Sequence, residues 1–205
     1  MLTDLLASLE TLSTNPWFYL AIAAMAAFDS VVPVLPGETT VILGGIAAGQ
    51  GHLSLTLVVL AGALGAAMGD NLAFTLGQQS SGWLNRTLLK SDKNQQRLTW
   101  ATDQLRTRGA TLLLTARFVP GGRTAVTVSA GITEQPRARF VLFDGLACLL
   151  WALYAGVLGY VFGERFKDNH SKAFLLAFVA ALSVTAVIEA GRWMRHRGQH
   201  EEQIL

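Results

Sequence analysis

Long apolar stretches alternate with short polar breaks along most of this chain. The continuous apolar runs at 55–78, 140–163 and 171–191 are each long enough for a membrane-spanning helix, which needs about 20 apolar residues. Two further apolar segments, 17–49 and 110–132, are interrupted by Pro, Gly and charged residues, so their unbroken pieces are too short to cross a bilayer. The pattern predicts an all-α integral membrane protein with about three full transmembrane helices and two broken segments.

The other segments are polar or amphipathic. Residues 1–14 carry leucines at helical spacing on one face, which predicts an amphipathic helix lying at the membrane interface. Segment 79–109 contains six Lys and Arg residues against two Asp, and we expect an amphipathic segment on the membrane surface. Residues 194–205 form a polar tail, so the predicted membrane domain extends over 15–193.

The distribution of basic residues orients the chain. Segment 79–109 and the C-terminus hold most of the Lys and Arg, and both are therefore predicted to be cytoplasmic. Spans 140–163 and 171–191 then carry the chain out and back, which requires 110–132 to enter and leave from the cytoplasmic side as a re-entrant hairpin. Segment 17–49 is either a mirror-image hairpin entered from outside or a broken helix that crosses the membrane.

The two broken segments resemble each other. Residues 36–41 read PGETTV and residues 121–126 read GGRTAV, which sets Glu38 opposite Arg123. If the first segment enters from outside, the two halves form an inverted repeat, and two re-entrant helical hairpins face each other. Paired short segments interrupted by Gly or Pro are the best sequence indication of a midplane binding site in a transporter.

The second broken segment contains two arginines, Arg117 and Arg123, with Gly121 and Gly122 between them. Arginine stays charged in proteins, and at the centre of a bilayer it costs roughly 2.5–3.5 kcal/mol on insertion scales. The guanidinium fork pairs with phosphate through two hydrogen bonds, and a helix that begins near the glycines offers free N–H groups. These four residues are predicted to bind a phosphate group inside the membrane.

Acidic residues at membrane depth are the expected partners of these arginines. Glu38 and Asp70 are predicted to neutralise them in the empty site, and to take up protons when phosphate displaces the carboxylates. The alternative is that these charges only hold the helices together. Residues near the breaks or beside the main candidates are secondary candidates: Asp29, Asn71, Asp144 and Trp151.

Enzyme, cofactor and metal chemistry find no support in the sequence. No Ser/His/Asp set falls at one membrane depth, no Gly-rich nucleotide loop is present, and no Cys/His spacing matches a metal site. We expect no enzymatic activity, cofactor, metal or nucleic-acid partner. The expected partners are membrane lipids and protons, and small-residue faces such as Gly65 to Gly69 leave a homodimer open. The single Cys148 is interpreted as a small buried hydrophobe.

Several short motifs occur in a fixed order between about residues 25 and 165. They are LPGE at 35–38, GDN at 69–71, RFVPGGR at 117–123, AGI at 130–132, and Trp151 followed by Gly159 and Tyr160. In these motifs the chain resembles the DedA family of bacterial membrane proteins, which is part of the VTT or SNARE-associated domain superfamily. It departs from many relatives at Gly122, where they carry a larger residue.

The resemblance implies two facing re-entrant hairpins in the bacterial cytoplasmic (inner) membrane. It also implies a flippase or scramblase that moves a polyprenyl phosphate, most of all undecaprenyl phosphate, with dependence on the proton motive force. Three other functions stay open: a phospholipid scramblase, a proton-coupled transporter of a small ion, and a membrane scaffold that transports nothing.

Overall fold

The computed structural model describes residues 16–31, 37–88, 92–117 and 122–166, with short helical pieces between 175 and 183. Within these ranges the chain forms helices and turns and contains no strand. The helices are α1 (Phe18–Val31), α2 (Gly37–Gly49), α3 (Leu55–Leu88), α4 (Asp92–Ala116), α5 (Gly122–Ile132) and α6 (Arg137–Arg165). The prediction of an all-helical protein is confirmed for the described part of the chain.

Two of these helices are long and apolar enough to cross a membrane. They are Leu55–Ser81 within α3 and Arg137–Arg165, with mean hydropathies of 1.6 and 2.0. At 1.5 Å per residue they measure about 40 and 44 Å, more than the ~30 Å of a hydrocarbon core. Each presents a stripe of exposed large apolar side chains, as a lipid-facing helix does: Leu57, Leu60, Leu64, Met68, Leu72 and Leu76 on α3, and Leu142, Leu146, Leu149, Leu153, Val157 and Val161 on α6. These helices match the predicted spans 55–78 and 140–163.

The helices around the two polar breaks are short. α1 and α2 have 14 and 13 residues, about 21 and 20 Å, and α5 has 11 residues, about 17 Å. None of the three reaches across a bilayer by itself. α1 ends and α2 begins on either side of the break predicted near Pro36, and α4 and α5 flank the break predicted near Pro120. The described helices therefore begin and end beside both predicted breaks.

The helix boundaries differ from the predicted segments in the middle of the chain. α3 continues to Leu88 and α4 begins at Asp92, so the described residues of segment 79–109 form the end of α3 and most of α4. Glycine inside a helix costs only about 1 kcal/mol relative to Ala, so Gly77 and Gly82 do not stop α3. α4 is bent at Arg108, whose φ of −127° is not helical. Predicted segments 1–14 and 194–205 lie outside the described residues, and so does most of 171–191.

Close helix packing crosses between the two halves of the chain. α2 packs along α6, where the Cα atoms of Gly45 and Gly159 come so close that a Cβ on either would lie 3.1 Å from the other's Cα. α5 packs along α3, where a Cβ on Gly77 would lie 3.2 Å from the Cα of Gly131. Small residues let backbones approach in this way. Each short helix after a break is thus held by the long helix of the other half, while α1 packs against α3.

Candidate functional site

Arg117 lies at the end of α4 and is buried, with 2% of its side chain exposed. Its Nη2 forms an ion pair with the carboxylate of Asp70 on α3, and lies 3.4 Å from Asp144 Oδ1 on α6. The guanidinium carbon is 5.8 Å from the ring centroid of Trp151, a cation–π distance. One arginine therefore joins α4, α3 and α6.

Arg123 lies in the first turn of α5 and completes the cluster. Its Nη2 donates a hydrogen bond to Asp29 Oδ2 on α1 at 3.1 Å, and its Nε lies 3.6 Å from Asp70 Oδ1. The fully buried Asp70 consequently interacts with both arginines. We call the five residues Arg117, Arg123, Asp29, Asp70 and Asp144 the charged cluster. It forms where five helices meet.

Local packing places α1 and α5 against the middle of α3. The Ser30 hydroxyl donates to the carbonyl of Ala66 at 3.2 Å, and the Thr124 hydroxyl donates to the carbonyl of Ser30 at 3.1 Å. Gly37 is required at the start of α2, because a Cβ there would lie 2.8 Å from both Cβ and Oδ2 of Asp29. The start of α2 therefore lies directly against an aspartate of the charged cluster.

The charged cluster is balanced neither in charge nor in hydrogen bonds. It holds three aspartates and two arginines, which leaves one negative charge in excess when all five are ionised. Among the described residues Arg117 uses only Nη2, while its Nε and Nη1 are buried without a hydrogen-bond partner there, and so is Asp70 Oδ1. A buried polar group left unsatisfied costs about 1–3 kcal/mol, and more when it is charged. Arg117 thus has buried donors available for one more acceptor.

The other predicted site residues lie around this cluster. Glu38 lies half-buried in the first turn of α2. Within the described residues no ion pair joins it to either arginine. It interacts electrostatically with Asp29 and Tyr154. The Asn71 side chain donates to the carbonyl of Ala67 in its own helix at 2.8 Å. Gly122 begins α5, and Gly121 lies outside the described residues.

Cys148 is the site residue that the sequence reasoning missed. Its buried Sγ lies 2.6 Å from Arg117 Nη2, 3.7 Å from Asp70 Oδ2 and 3.6 Å from Asp144 Oδ2. The thiol is therefore part of the polar site as well as of the apolar core. Asp144, Cys148 and Trp151 are spaced by four and three residues, which puts them on one helix face. That spacing was the available signal, and it includes two of the secondary candidates.

Known membrane proteins resemble this chain in sequence over most of its length. The sequence profile of the VTT domain matches residues 35–161, a range that includes both arginines, Glu38, Asp70 and Asp144. The inner membrane protein YohD of Escherichia coli K12 is 30% identical over 80% of this chain and 85% of its own length. YabI of the same organism, also an inner membrane protein, is 35% identical over 71% of this chain and 59% of its own.

A further relative carries a functional name. Undecaprenyl phosphate transporter A of Bacillus subtilis strain 168 is 24% identical over 69% of this chain and 72% of its own length. No solved structure gives a significant match.

Proposed function

The chain belongs to the VTT-domain (DedA) family of membrane proteins, and on this basis we propose that it is a flippase or scramblase for a lipid phosphate. The substrate we propose is a polyprenyl phosphate such as undecaprenyl phosphate, moved across the bacterial cytoplasmic membrane. The name of the Bacillus subtilis relative supports this substrate class. The protein is proposed to act as a transporter and not as an enzyme.

The observation that carries the proposal is the buried Arg117 with unused donors. An isolated ion in a low-dielectric medium costs tens of kcal/mol by Born estimates, so a phosphate group needs charged partners along its path. A phosphate offers strong acceptor oxygens, and arginine binds it with directed hydrogen bonds. Nε and Nη1 of Arg117 can donate to such a group, and Arg123 lies on the other side of Asp70.

The aspartates compete with phosphate for the arginines, which allows a bound phosphate group to be released. In the described state the guanidinium groups are held by Asp29, Asp70 and Asp144, so an arriving phosphate competes with these carboxylates. Phosphate adds negative charge to a cluster that already has an excess. Uptake of protons by the displaced carboxylates restores the balance, and we propose that Glu38 and Asp70 take part in it. Net transport then depends on the proton motive force.

The proposed architecture places the site between two re-entrant hairpins. α1 with α2 forms the first hairpin, and the end of α4 with α5 forms the second. The crossed packing of α2 on α6 and of α5 on α3 supports an inverted repeat. In the proposed orientation segment 79–109 and the C-terminus are cytoplasmic, which exposes Arg106 and Arg108 on the side that the positive-inside rule favours.

Labelling of single cysteines tests this topology. In a background with Cys148 replaced by Ala, a cysteine at exposed Thr107 should react from the cytoplasmic side, and one at Ser54 from outside. Labelling of cysteines near Gln135, such as one at exposed Glu134, from outside only would mean that 110–132 crosses the membrane, which would overturn the hairpin architecture.

The substrate class is tested with purified protein in liposomes. Polyprenyl phosphate and a phosphatidylcholine, both labelled in the head group, are compared for the fraction that becomes accessible from the outer leaflet. The proposal predicts rapid exchange of the polyprenyl phosphate and slow exchange of the phospholipid. Equal rates for both would indicate a general scramblase, and exchange of neither would favour a scaffold.

A further inference from the structure

The Nη2 atom of Arg117 lies where three ligand atoms converge. It forms its ion pair with Asp70, lies 3.4 Å from Asp144 Oδ1 and lies 2.6 Å from Cys148 Sγ. One ligand atom of each of these three residues lies within 4.8 Å of the other two. A cationic nitrogen therefore already stands between two carboxylates and a thiol.

The two sulfur–oxygen distances of this triad match a tetrahedral zinc site. With Zn–S near 2.3 Å and Zn–O near 2.0–2.2 Å, a sulfur and an oxygen ligand of a tetrahedron are about 3.5–3.7 Å apart. Cys148 Sγ lies 3.7 Å from Asp70 Oδ2 and 3.6 Å from Asp144 Oδ2. Two carboxylates and one thiolate leave a fourth position open. The second oxygen of the same carboxylate, Asp70 Oδ1, is buried, has no hydrogen-bond partner among the described residues and lies 3.6 Å from Arg123 Nε.

The total charge of the buried cluster also stays the same when Zn²⁺ takes the place of Arg117. Replacing the single positive charge of Arg117 by Zn²⁺ adds one positive charge to the triad. Coordination by sulfur requires the thiolate, so one proton leaves Cys148 for the buffer. The two changes cancel, and the buried cluster keeps its total charge. An ion without affinity for thiolate, such as Mg²⁺, lacks this compensation.

We propose that Asp70, Asp144 and Cys148 form a site for Zn²⁺ or a similar thiophilic divalent ion when Arg117 leaves its position. The ion holds the carboxylates that otherwise neutralise Arg117, so it stops the exchange of carboxylate for phosphate. Binding of the ion does not require transport, whereas its inhibitory effect rests on the proposed transport function.

The single cysteine of the chain makes the test specific. Co²⁺ serves as an optical substitute for Zn²⁺, because a thiolate bound to Co²⁺ gives a charge-transfer absorption in the near ultraviolet. The untagged full chain in detergent is titrated with CoCl₂, and ZnCl₂ is then added to displace it. His196 and His200 are replaced by Ala in every sample to remove histidines of the C-terminal tail as competing ligands.

If the triad binds the ion, CoCl₂ should produce a thiolate–Co²⁺ absorption band, and ZnCl₂ should abolish it. The Cys148→Ser variant should not show this band. Arg117→Gln removes the competing cation and should lower the Zn²⁺ dissociation constant roughly tenfold, within the usual range for coupled sites. Mg²⁺ should have no effect. Absence of the band in both the parent protein and Arg117→Gln would overturn the proposal, and so would an unchanged band in Asp144→Asn.

Transport and metal binding can fail independently. In the liposome assay Zn²⁺ should slow polyprenyl phosphate exchange, a chelator should reverse the effect, and Cys148→Ser should need at least about ten times more Zn²⁺ for the same inhibition. A Co²⁺ band in a protein that exchanges no lipid phosphate would support the metal site and contradict the proposed function. Exchange of polyprenyl phosphate without a Co²⁺ band would support the proposed function and contradict the metal site.

Discussion

Replacement of Arg117 by Met tests whether the charged cluster holds the helices together as the structure indicates. The substitution keeps an unbranched side chain and removes the cation that contacts Asp144 and Cys148. Breaking a buried ion pair by removing one partner costs about 3–5 kcal/mol, because the remaining charge is left uncompensated. At roughly 2–4 °C per kcal/mol for a chain of this size, the unfolding temperature should fall by about 6–20 °C.

A second substitution shows whether this loss is electrostatic. The charged cluster has a net charge of −1 with all five groups ionised, and Arg117→Met lowers it to −2. Asp144→Asn in the same protein returns it to −1 without changing the size of that side chain. We expect the double variant to recover at least half of the lost stability.

Thermal unfolding of the purified variants in detergent measures both effects. Arg106→Met is the control, since Arg106 is exposed on the same helix and a surface substitution changes stability by about 0.5 kcal/mol or less. A loss for Arg117→Met no larger than that of the control would refute the account of the cluster. A double variant less stable than Arg117→Met would show that the cost arises from packing and not from unbalanced charge.

Two further substitutions probe the first break. Gly37→Ala places a methyl group against Asp29, so lipid-phosphate exchange should fall about tenfold, which corresponds to roughly 1.4 kcal/mol. The control is Gly145→Ala, where nothing lies within 4 Å of the added Cβ. Equal activity of the two variants would contradict the prediction. Glu38→Gln mimics a permanently protonated carboxyl, so it should retain binding of polyprenyl phosphate but lose the acceleration by an imposed pH gradient. A gradient response equal to that of the parent protein would place proton coupling elsewhere.

The sequence singled out most of the charged residues that the structure brings together, and described helices begin and end beside both predicted breaks. Charged residues in apolar segments are costly, so Arg117, Arg123 and Asp70 stood out without any structure. Pro and Gly marked where α1 and α4 end. Both the cost of a charge in an apolar segment and the effect of Pro or Gly on a helix depend only on residues that are close in sequence.

The partners of the arginines could not be predicted in the same way. Arg123 pairs with Asp29, 94 residues away, and Arg117 pairs with Asp70, 47 residues away. Which carboxylate reaches which arginine depends on helix crossings set by contacts such as Gly77 on Gly131. For this reason the sequence predicts a pair between Glu38 and an arginine, whereas the ion pairs among the described residues include no such contact.

In the proposed function both arginines of the charged cluster bind the phosphate group of a transported lipid. The most direct test is the exchange rate of labelled polyprenyl phosphate in liposomes containing Arg123→Lys, with Arg106→Lys as the matched control. Lys keeps the charge but lacks the planar fork, so the account predicts at least a tenfold slower exchange for Arg123→Lys, an unchanged rate for the control, and nearly equal unfolding temperatures. Exchange by Arg123→Lys at the rate of the control would contradict the claim.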